Sequence, residues 1–431
     1  MKTYFNPSKN DWKQLVARPT VEKENLFKLV DEVFTDIQQN GDTAVRTYCR
    51  QFDQVELDAL QVSEQQIKRA VEVLDPALKE AILLAKNTIE KFHAAQREKP
   101  QIIETAKGVK CWRESRAIEK VGIYIPGGSA PLFSTVLMLG IPAKLAGCNE
   151  IVLCTPSNQQ GEINPAILYT AQLVGINTIF AVGGIQAIGA MTFGTASVPK
   201  VDKIFGPGNQ YVTAAKQSAT QYGVAIDMPA GPSEVLIIAD ANSHPAFVAA
   251  DLLSQAEHGA DSQVMLLSDN STIIEQTLAE IQQQVLALPR KETVEAALKS
   301  SKAILLDSIE TCIDFSNAYA PEHLILAVQN FADFTQSIRN AGSVFLGNYS
   351  CESAGDYASG TNHTLPTNGF ARNYSGVSLD SFIKKITFQE LTPEGLRTIG
   401  PAIERMAEAE QLLGHKNAVS VRLSTLKSEE L

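Results

Sequence analysis

Histidine is scarce in this chain, and the six present (His93, His244, His258, His323, His363 and His415) are where proton transfer and metal binding are best sought. In SHPAFVAADLLSQAEHG, Pro245 suits the first turn of a helix and Gly259 the position beyond its end. The spacing predicts Gln255 and His258 at i, i+3 on one helix face. An amide oxygen beside an imidazole is half of a zinc site, although a histidine near a helix C-terminus also serves simply to complement the helix dipole. In APEHLIL, Glu322 and His323 stand immediately before an apolar run, which puts two proton-transfer groups at a sheet edge, or merely two solvated charges there. In AGDYASGTNH, Asp356 and His363 bracket Gly355 and Gly360 in a predicted loop, either a ligand loop or a turn-forming aspartate. Glu410 and His415 flank the end expected for the last helix, at Gly414. Gln255, His258, Asp356 and His415 together would offer an amide oxygen, a carboxylate and two imidazoles, enough for one zinc ion with room for substrate atoms.

The elements that must position these groups read as alternating α/β structure. The first hundred residues are charged and helical, with runs such as LFKLVDEVFTDIQQ and EQQIKRAVEVL. From Val121 short apolar runs (VGIYI, EIVLC, TIFAV, VDKIF, EVLIIA, QVMLL, AILLD, HLILAV, SVFL) alternate with helical stretches, the pattern of parallel sheets. Pro-Ala-Gly-Pro-Ser at 229–233 separates two such sets, and ligands favour the crevice of such an arrangement. YIPGGSAPLFS and FGPGNQY each follow an apolar run and open a predicted helix, where backbone N–H groups can cradle an anion. Neither is a dinucleotide fingerprint, because Tyr211 occupies the last glycine position of G-x-G-x-x-G. After Phe388 the pattern predicts a helix capped by Thr392-Pro393, a second restarting at Pro401, and a short strand through Val419, Val421 and Leu423.

Composition narrows the function classes. A chain of 431 residues with 44% apolar content fills more than one core. A formal charge of -11 without any basic block argues against nucleic acid as a partner. No stretch approaches the roughly 20 apolar residues of a membrane span, and no apolar leader opens the sequence. The six cysteines form no C-x-x-C pair, as expected of reduced thiols in a cytoplasmic protein.

The strings YIPGGSAPLFSTVLM, DKIFGPGN, IDMPAGPSE, DLLSQAEHG, PEHL, GSVFLG, ESAGDYASGTNHTLPT and HKNAV, in that order, resemble those of the histidinol dehydrogenase family over nearly the whole chain. The resemblance implies two incomplete Rossmann-like lobes with parallel sheets, a helical N-terminal segment and a small C-terminal α+β tail. It implies an arm at 1–20, a zinc and substrate lobe at 21–123 plus 234–376, an NAD lobe at 124–233, and a tail at 377–431 exchanged in a homodimer. It further implies oxidation of L-histidinol through the aldehyde to L-histidine with two NAD+ and one zinc ion per subunit. Zinc ligands would be Gln255, His258, Asp356 and His415. Glu322 and His323 would be catalytic, with Ser233, His363 and Glu410 joining His323 and the metal ligands on the substrate. Tyr124, Gln186 and Asn209 would contact NAD. The sequence departs at Ala320 and Gly189, where glycine and alanine are expected. A zinc-dependent hydrolase with Glu322 as base, or a non-catalytic scaffold of the same fold, would be the competing functions.

Overall fold

A computed structural model of the chain describes residues 1–18, 24–127, 130–229 and 231–428. Gly128 and Ser129 of the first glycine-rich joint, Ala230 of the 229–233 separator and part of the boundary around residue 20 lie outside them. The chain forms two compact units, Met1–Gln96 with Ile118–Phe382, and Arg97–Ala117 with Ile383–Leu431.

In the first unit, β1 (Lys2–Phe5) precedes the helices Lys9–Leu15, Glu24–Asn40, Asp42–Tyr48, Glu64–Val73 and Pro76–Ala94. The second unit's β2 (Ile103–Ala106) and β3 (Val109–Ala117) interrupt before the first unit resumes. There follow β4 (Lys120–Tyr124), β5 (Glu150–Cys154), β6 (Thr178–Phe180), β7 (Lys203–Phe205) and β8 (Ala225–Ile226), a wholly parallel sheet in the order β6-β5-β4-β7-β8. Next come β9 (Glu234–Ala239), β10 (Gln263–Ser268), β11 (Lys302–Leu305), β12 (His323–Ala327) and β13 (Ser343–Leu346). They are also parallel, in the order β11-β10-β9-β12-β13, and β1 is added outside β11. Counted from its own first strand, each sheet repeats the 3-2-1-4-5 order of a Rossmann-like half, with its switch point beside that first strand. All nine apolar runs expected to be strands are strands. They read as unbroken apolar stretches because both faces are covered by helices, and every residue of EVLIIA and QVMLLS is buried.

The helices of residues 24–94 complete the five-stranded sheet's cores. Phe34 and Ile37 pack with Val152 and Ile188, and Ile67, Ile82 and Ile89 pack with Ile123 and Leu153. The expected grouping of 21–123 with 234–376 places this segment on the six-stranded sheet, whereas its helices pack on the five-stranded one. Its apolar faces show that it would be buried, but not against which sheet.

In the second unit, β14 (Ile383–Leu391) pairs antiparallel with β3 along nine residues, and β3 also pairs with β2. This exposed ribbon was not foreseen, since VKCWRESRA alternates charge with partly buried side chains rather than showing an apolar run. The Thr392 cap is found, its hydroxyl accepting the Gly395 N–H at 3.1 Å. Pro401 lies inside the helix Pro393–Ala409 instead of starting a new one, and residues 419–423 belong to the helix Leu413–Ser428. Val419 and Leu423 are also i, i+4 neighbours on a helix, and both rest over Gly400, where an added Cβ would meet them at 3.0–3.3 Å. Close packing at that glycine favours the helical hairpin over the strand that the alternation suggested.

Candidate functional site

Most of the candidate residues converge at the amino edge of the six-stranded sheet. Glu234 and His323 open the neighbouring strands β9 and β12, with His323 paired in register to Val235. The helix Pro245–Ala256 runs back from the end of β9 and delivers Gln255 to this edge, fully buried. His258 lies two residues beyond that helix rather than on its face, and is exposed. Asp356 comes from the short helix Glu352–Tyr357, and His363 from the loop after it. Ser233, half-buried, directly precedes β9.

His323 has two unlike nitrogens. Nδ1 lies 3.2 Å from the Glu234 carbonyl, which favours a proton there and leaves Nε2 as the acceptor. Nε2 is buried without a hydrogen-bond partner and lies 3.5 Å from Asp356 Oδ1. Glu322 Oε2 accepts the Glu234 N–H at 2.8 Å and lies 3.6 Å from His323 Nδ1. His363 is held by its own Nδ1 on the Asp356 carbonyl at 2.9 Å and by Nε2 on the Thr135 hydroxyl at 3.1 Å.

Burial works to lower the His323 pKa, but the carboxylates of Glu322, Asp356 and Glu352 outweigh it and hold the imidazole well above its usual value. Burial would raise Asp356, yet His323, His363 and His258 keep it below the ordinary carboxylate range. For His363 burial prevails over Asp356, and its pKa is lowered. Glu352 is pushed up to about 8, chiefly by burial, with Asp356 and Glu322 adding repulsion.

Glu352 is a further member of the cluster that the sequence does not single out. It sits one turn before Asp356 on the same helix face, and ligand atoms of His258, Glu352 and Asp356 lie within 4.8 Å of one another. That i, i+4 pair in ESAGD was the available signal.

The donor set fits a cation. Asp356 Oδ1 is buried without a hydrogen-bond partner. The Gln255 amide reaches to 2.6 Å from Glu352 Oε1. With its nitrogen turned there it donates to Glu352, while its oxygen accepts the Glu234 N–H at 3.2 Å. With its oxygen there two acceptors meet, and the amide oxygen joins the carboxylates of Glu352 and Asp356 as a donor to a positive ion beside them.

A second locus occupies the carboxyl edge of the five-stranded sheet. A cleft of about 1140 Å³ is lined there by Tyr124 at the end of β4, by Thr155–Asn158 after β5, by Gly184 after β6 and by Asn209 after β7. Tyr124, at the floor, accepts the Gly184 N–H on its hydroxyl at 3.1 Å. Asn209 caps the helix Gln210–Ala219, its Oδ1 accepting from Tyr211 N–H at 3.0 Å and Val212 N–H at 3.1 Å. The loop before it is built around Gly206, where φ is +126° and a Cβ would stand 2.1 Å from the Tyr124 carbonyl oxygen. Asp227 takes the Gly206 N–H at 2.8 Å and Lys216 donates to its carbonyl at 2.7 Å, the two forming a buried ion pair. Gln186, expected to touch a dinucleotide, is fully buried and is not among the residues lining the cleft.

Glu410 and His415 belong to the second unit, and both are exposed. Glu410 ends the helix Pro393–Ala409, while Gly414 and His415 fall in the first turn of Leu413–Ser428 rather than beyond a helix end. Among the described residues no helix is long and apolar enough to cross a membrane.

The histidinol dehydrogenase family profile matches residues 16–423. The histidinol dehydrogenase of Bacteroides thetaiotaomicron is 56% identical over 427 residues, covering 99% of this chain and 100% of that one. That of Pasteurella multocida is 52% identical over 94% of each chain. A crystal structure of histidinol dehydrogenase from Elizabethkingia anophelis superposes with a TM-score of 0.98 at 63% identity, covering 99% of both chains.

Proposed function

Since the chain belongs to the histidinol dehydrogenase family, and is therefore an NAD-dependent dehydrogenase of histidine biosynthesis, we propose that it oxidises L-histidinol to L-histidinaldehyde and then to L-histidine at one site. Two NAD+ are consumed and one zinc ion serves each subunit. The zinc and substrate side is the sheet within 234–376, and the NAD side is the lobe of residues 124–233. The observation that carries the reading is the buried, unpartnered Nε2 of His323 facing Asp356 while Nδ1 is engaged by a carbonyl. This is the disposition of a general base.

Gln255, His258 and Asp356 would hold the zinc, joined by His415 of the partner subunit, and its positive charge would offset the carboxylates that keep His323 protonated. When bound, the ion supplies a template for the substrate's amine and imidazole. His323 Nε2 takes the hydroxyl proton as hydride leaves the alcohol carbon for the first NAD+. Glu322 then removes a proton from the water that adds to the aldehyde, and the hydrate gives a second hydride to the second NAD+. Four electrons leave the carbon in all. Ser233, His363 and Glu410 complete the substrate contacts, and Tyr124, Gln186 and Asn209 meet the cofactor, Gln186 through the Oε1 that has no partner among the described residues. The enzyme works as a cytoplasmic homodimer, each tail delivering Glu410 and His415 to the other subunit.

Supplying histidinol, NAD+ and zinc and counting NADH per histidine tests the chemistry. Two are expected, whereas one NADH with accumulated aldehyde, or turnover without NADH as a hydrolase would give, overturns it. Mixing His415→Ala with Glu322→Gln chains after joint unfolding and refolding tests the exchange. About half the sites of each heterodimer should work, since one site then carries both lesions and the other none. No activity from demonstrably mixed dimers rules it out.

A further inference from the structure

Taking Glu322 and His323 as the proton-transfer pair, the assignment on which this inference rests, both are held by a single residue, Glu234. Its N–H donates to Glu322 Oε2 at 2.8 Å, and its carbonyl lies 3.2 Å from His323 Nδ1. Its own side chain has no role so far, yet it is gripped from far along the chain. Arg18, just past the helix Lys9–Leu15, donates from Nε to Glu234 Oε1 at 2.7 Å and from Nη2 to Oε2 at 2.8 Å. The Asn368 N–H adds a third bond to Oε1 at 2.9 Å.

Arg18 also reaches the neighbouring strand. Nη2 donates to the carbonyl of Ala320 at 3.3 Å, in the left-handed turn that leads into Glu322 and His323. The guanidinium lies 3.8 Å from the ring centre of Tyr319, which is fully buried and donates its hydroxyl to Gln263, the first residue of β10, at 2.9 Å. One side chain thus ties together the starts of β9 and β12, and through Tyr319 that of β10.

Stability alone accounts poorly for this arrangement. The side chains of Arg18 and Glu234 are only 11% and 2% exposed, and a buried ion pair is often no more stabilising than apolar groups of the same volume, because desolvation offsets the attraction. What the planar guanidinium supplies is direction, since two parallel bonds fix the orientation of the carboxylate they grip. We propose that Arg18 is a positioning residue for the proton-transfer pair, fixing through Glu234 and the Ala320 carbonyl the two strand starts that hold Glu322 and His323. Proton and hydride transfer demand this precision, because a misplacement of about 1 Å can cost about 100-fold in rate.

The test compares variants of the full-length, zinc-loaded enzyme. Arg18→Lys keeps the charge and replaces the fork by a point donor. It should lower kcat by about 10- to 100-fold, with a much smaller change in KM for histidinol and no loss of bound zinc. In single-turnover alcohol oxidation the same change should cost less than about twofold in a His323→Asn background, where no base is left to position. General damage to the sheet would slow both backgrounds alike. Arg18→Met leaves Glu234 buried and unpaired and should lower the thermal midpoint. Adding Glu234→Gln, which keeps an acceptor for Asn368, should recover most of the midpoint but not kcat. Unchanged kcat in folded Arg18→Lys, equal slowing in the two backgrounds, or recovery of kcat together with the midpoint overturns the proposal. His323→Asn by itself keeps the two failures apart. If it turns over like the wild type, the proton-transfer assignment falls and takes this inference with it. If it is slow while Arg18→Lys is not, only the role of Arg18 falls.

Discussion

The two parallel sheets of the first unit share a strand order and put opposite edges to use. The five-stranded sheet opens its cleft at the carboxyl edge, where loops leaving β4 to β7 bring backbone and amides to one crevice. The six-stranded sheet gathers its chemistry at the amino edge, where β9 and β12 begin and where the helix Pro245–Ala256 returns. The carboxyl edge offers helix N-termini and N–H groups, which suit an anionic cofactor. The amino edge receives helix C-termini, whose partial negative charge adds to Glu322 and Asp356 and suits a cation. One topology thus yields two complementary electrostatic environments, according to which end of the strands is elaborated.

If the edges divide the labour, damage at one should leave the other's ligand alone. The largest effect is expected from His323→Asn, which should slow turnover by roughly 10²–10⁴-fold, the worth of a positioned proton-transfer group. Zinc content and NAD+ affinity should be unchanged, and loss of metal in this variant would make His323 a ligand. Next comes Asp227→Asn, which leaves Lys216 buried and unpaired beneath the Gly206 loop. It should cost about 3–5 kcal/mol in a denaturant titration, and NAD+ binding should weaken before metal binding does. Parallel loss of both ligands would show that the edges are coupled. His258→Ala and Asp356→Ala should each weaken zinc by about 10- to 100-fold in a chelator competition while calorimetry finds NAD+ affinity intact. Stripping zinc with a chelator should abolish NADH formation reversibly in the wild type. Glu322→Gln should slow aldehyde oxidation more than alcohol oxidation in single-turnover assays, because only the second step needs activated water. Equal slowing would sink that division of roles.

The smallest effect is expected at Ala320, the left-handed end of the helix Ile309–Tyr319, with φ +55°. Ala320→Gly relieves strain of about 1–2 kcal/mol but removes a fully buried methyl worth about 0.8 kcal/mol. The thermal midpoint should therefore move only slightly, and a loss of several degrees would mean that the strain is absent.

Those expectations also mark what was legible in the sequence. The nine buried strands were, since parallel strands covered on both faces carry unbroken apolar runs. So were Gln255, His258, Glu322, His323, Asp356 and His363, the rare side chains that the six-stranded sheet brings together. What was not legible depended on partners far along the chain. The helix containing Phe34 shows an apolar face but not its sheet. The ribbon of β3 and β14 is stabilised by pairing rather than by burial. Glu352 resembled any acidic residue at a helix start until its burial set it apart.

The pairing of β1 with β11 bears on how the molecule is made. Tyr4 lies opposite Ile304, so the strand synthesised first waits about 300 residues, roughly 15–60 s at ordinary elongation rates, for its neighbour. The five-stranded sheet, drawn from 120–226 alone, is complete long before that. Birth order on the ribosome therefore sets a five-stranded sheet that can fold early against a six-stranded sheet whose outermost strand must be kept from other partners until late, a window in which an exposed strand edge invites aggregation or chaperone capture.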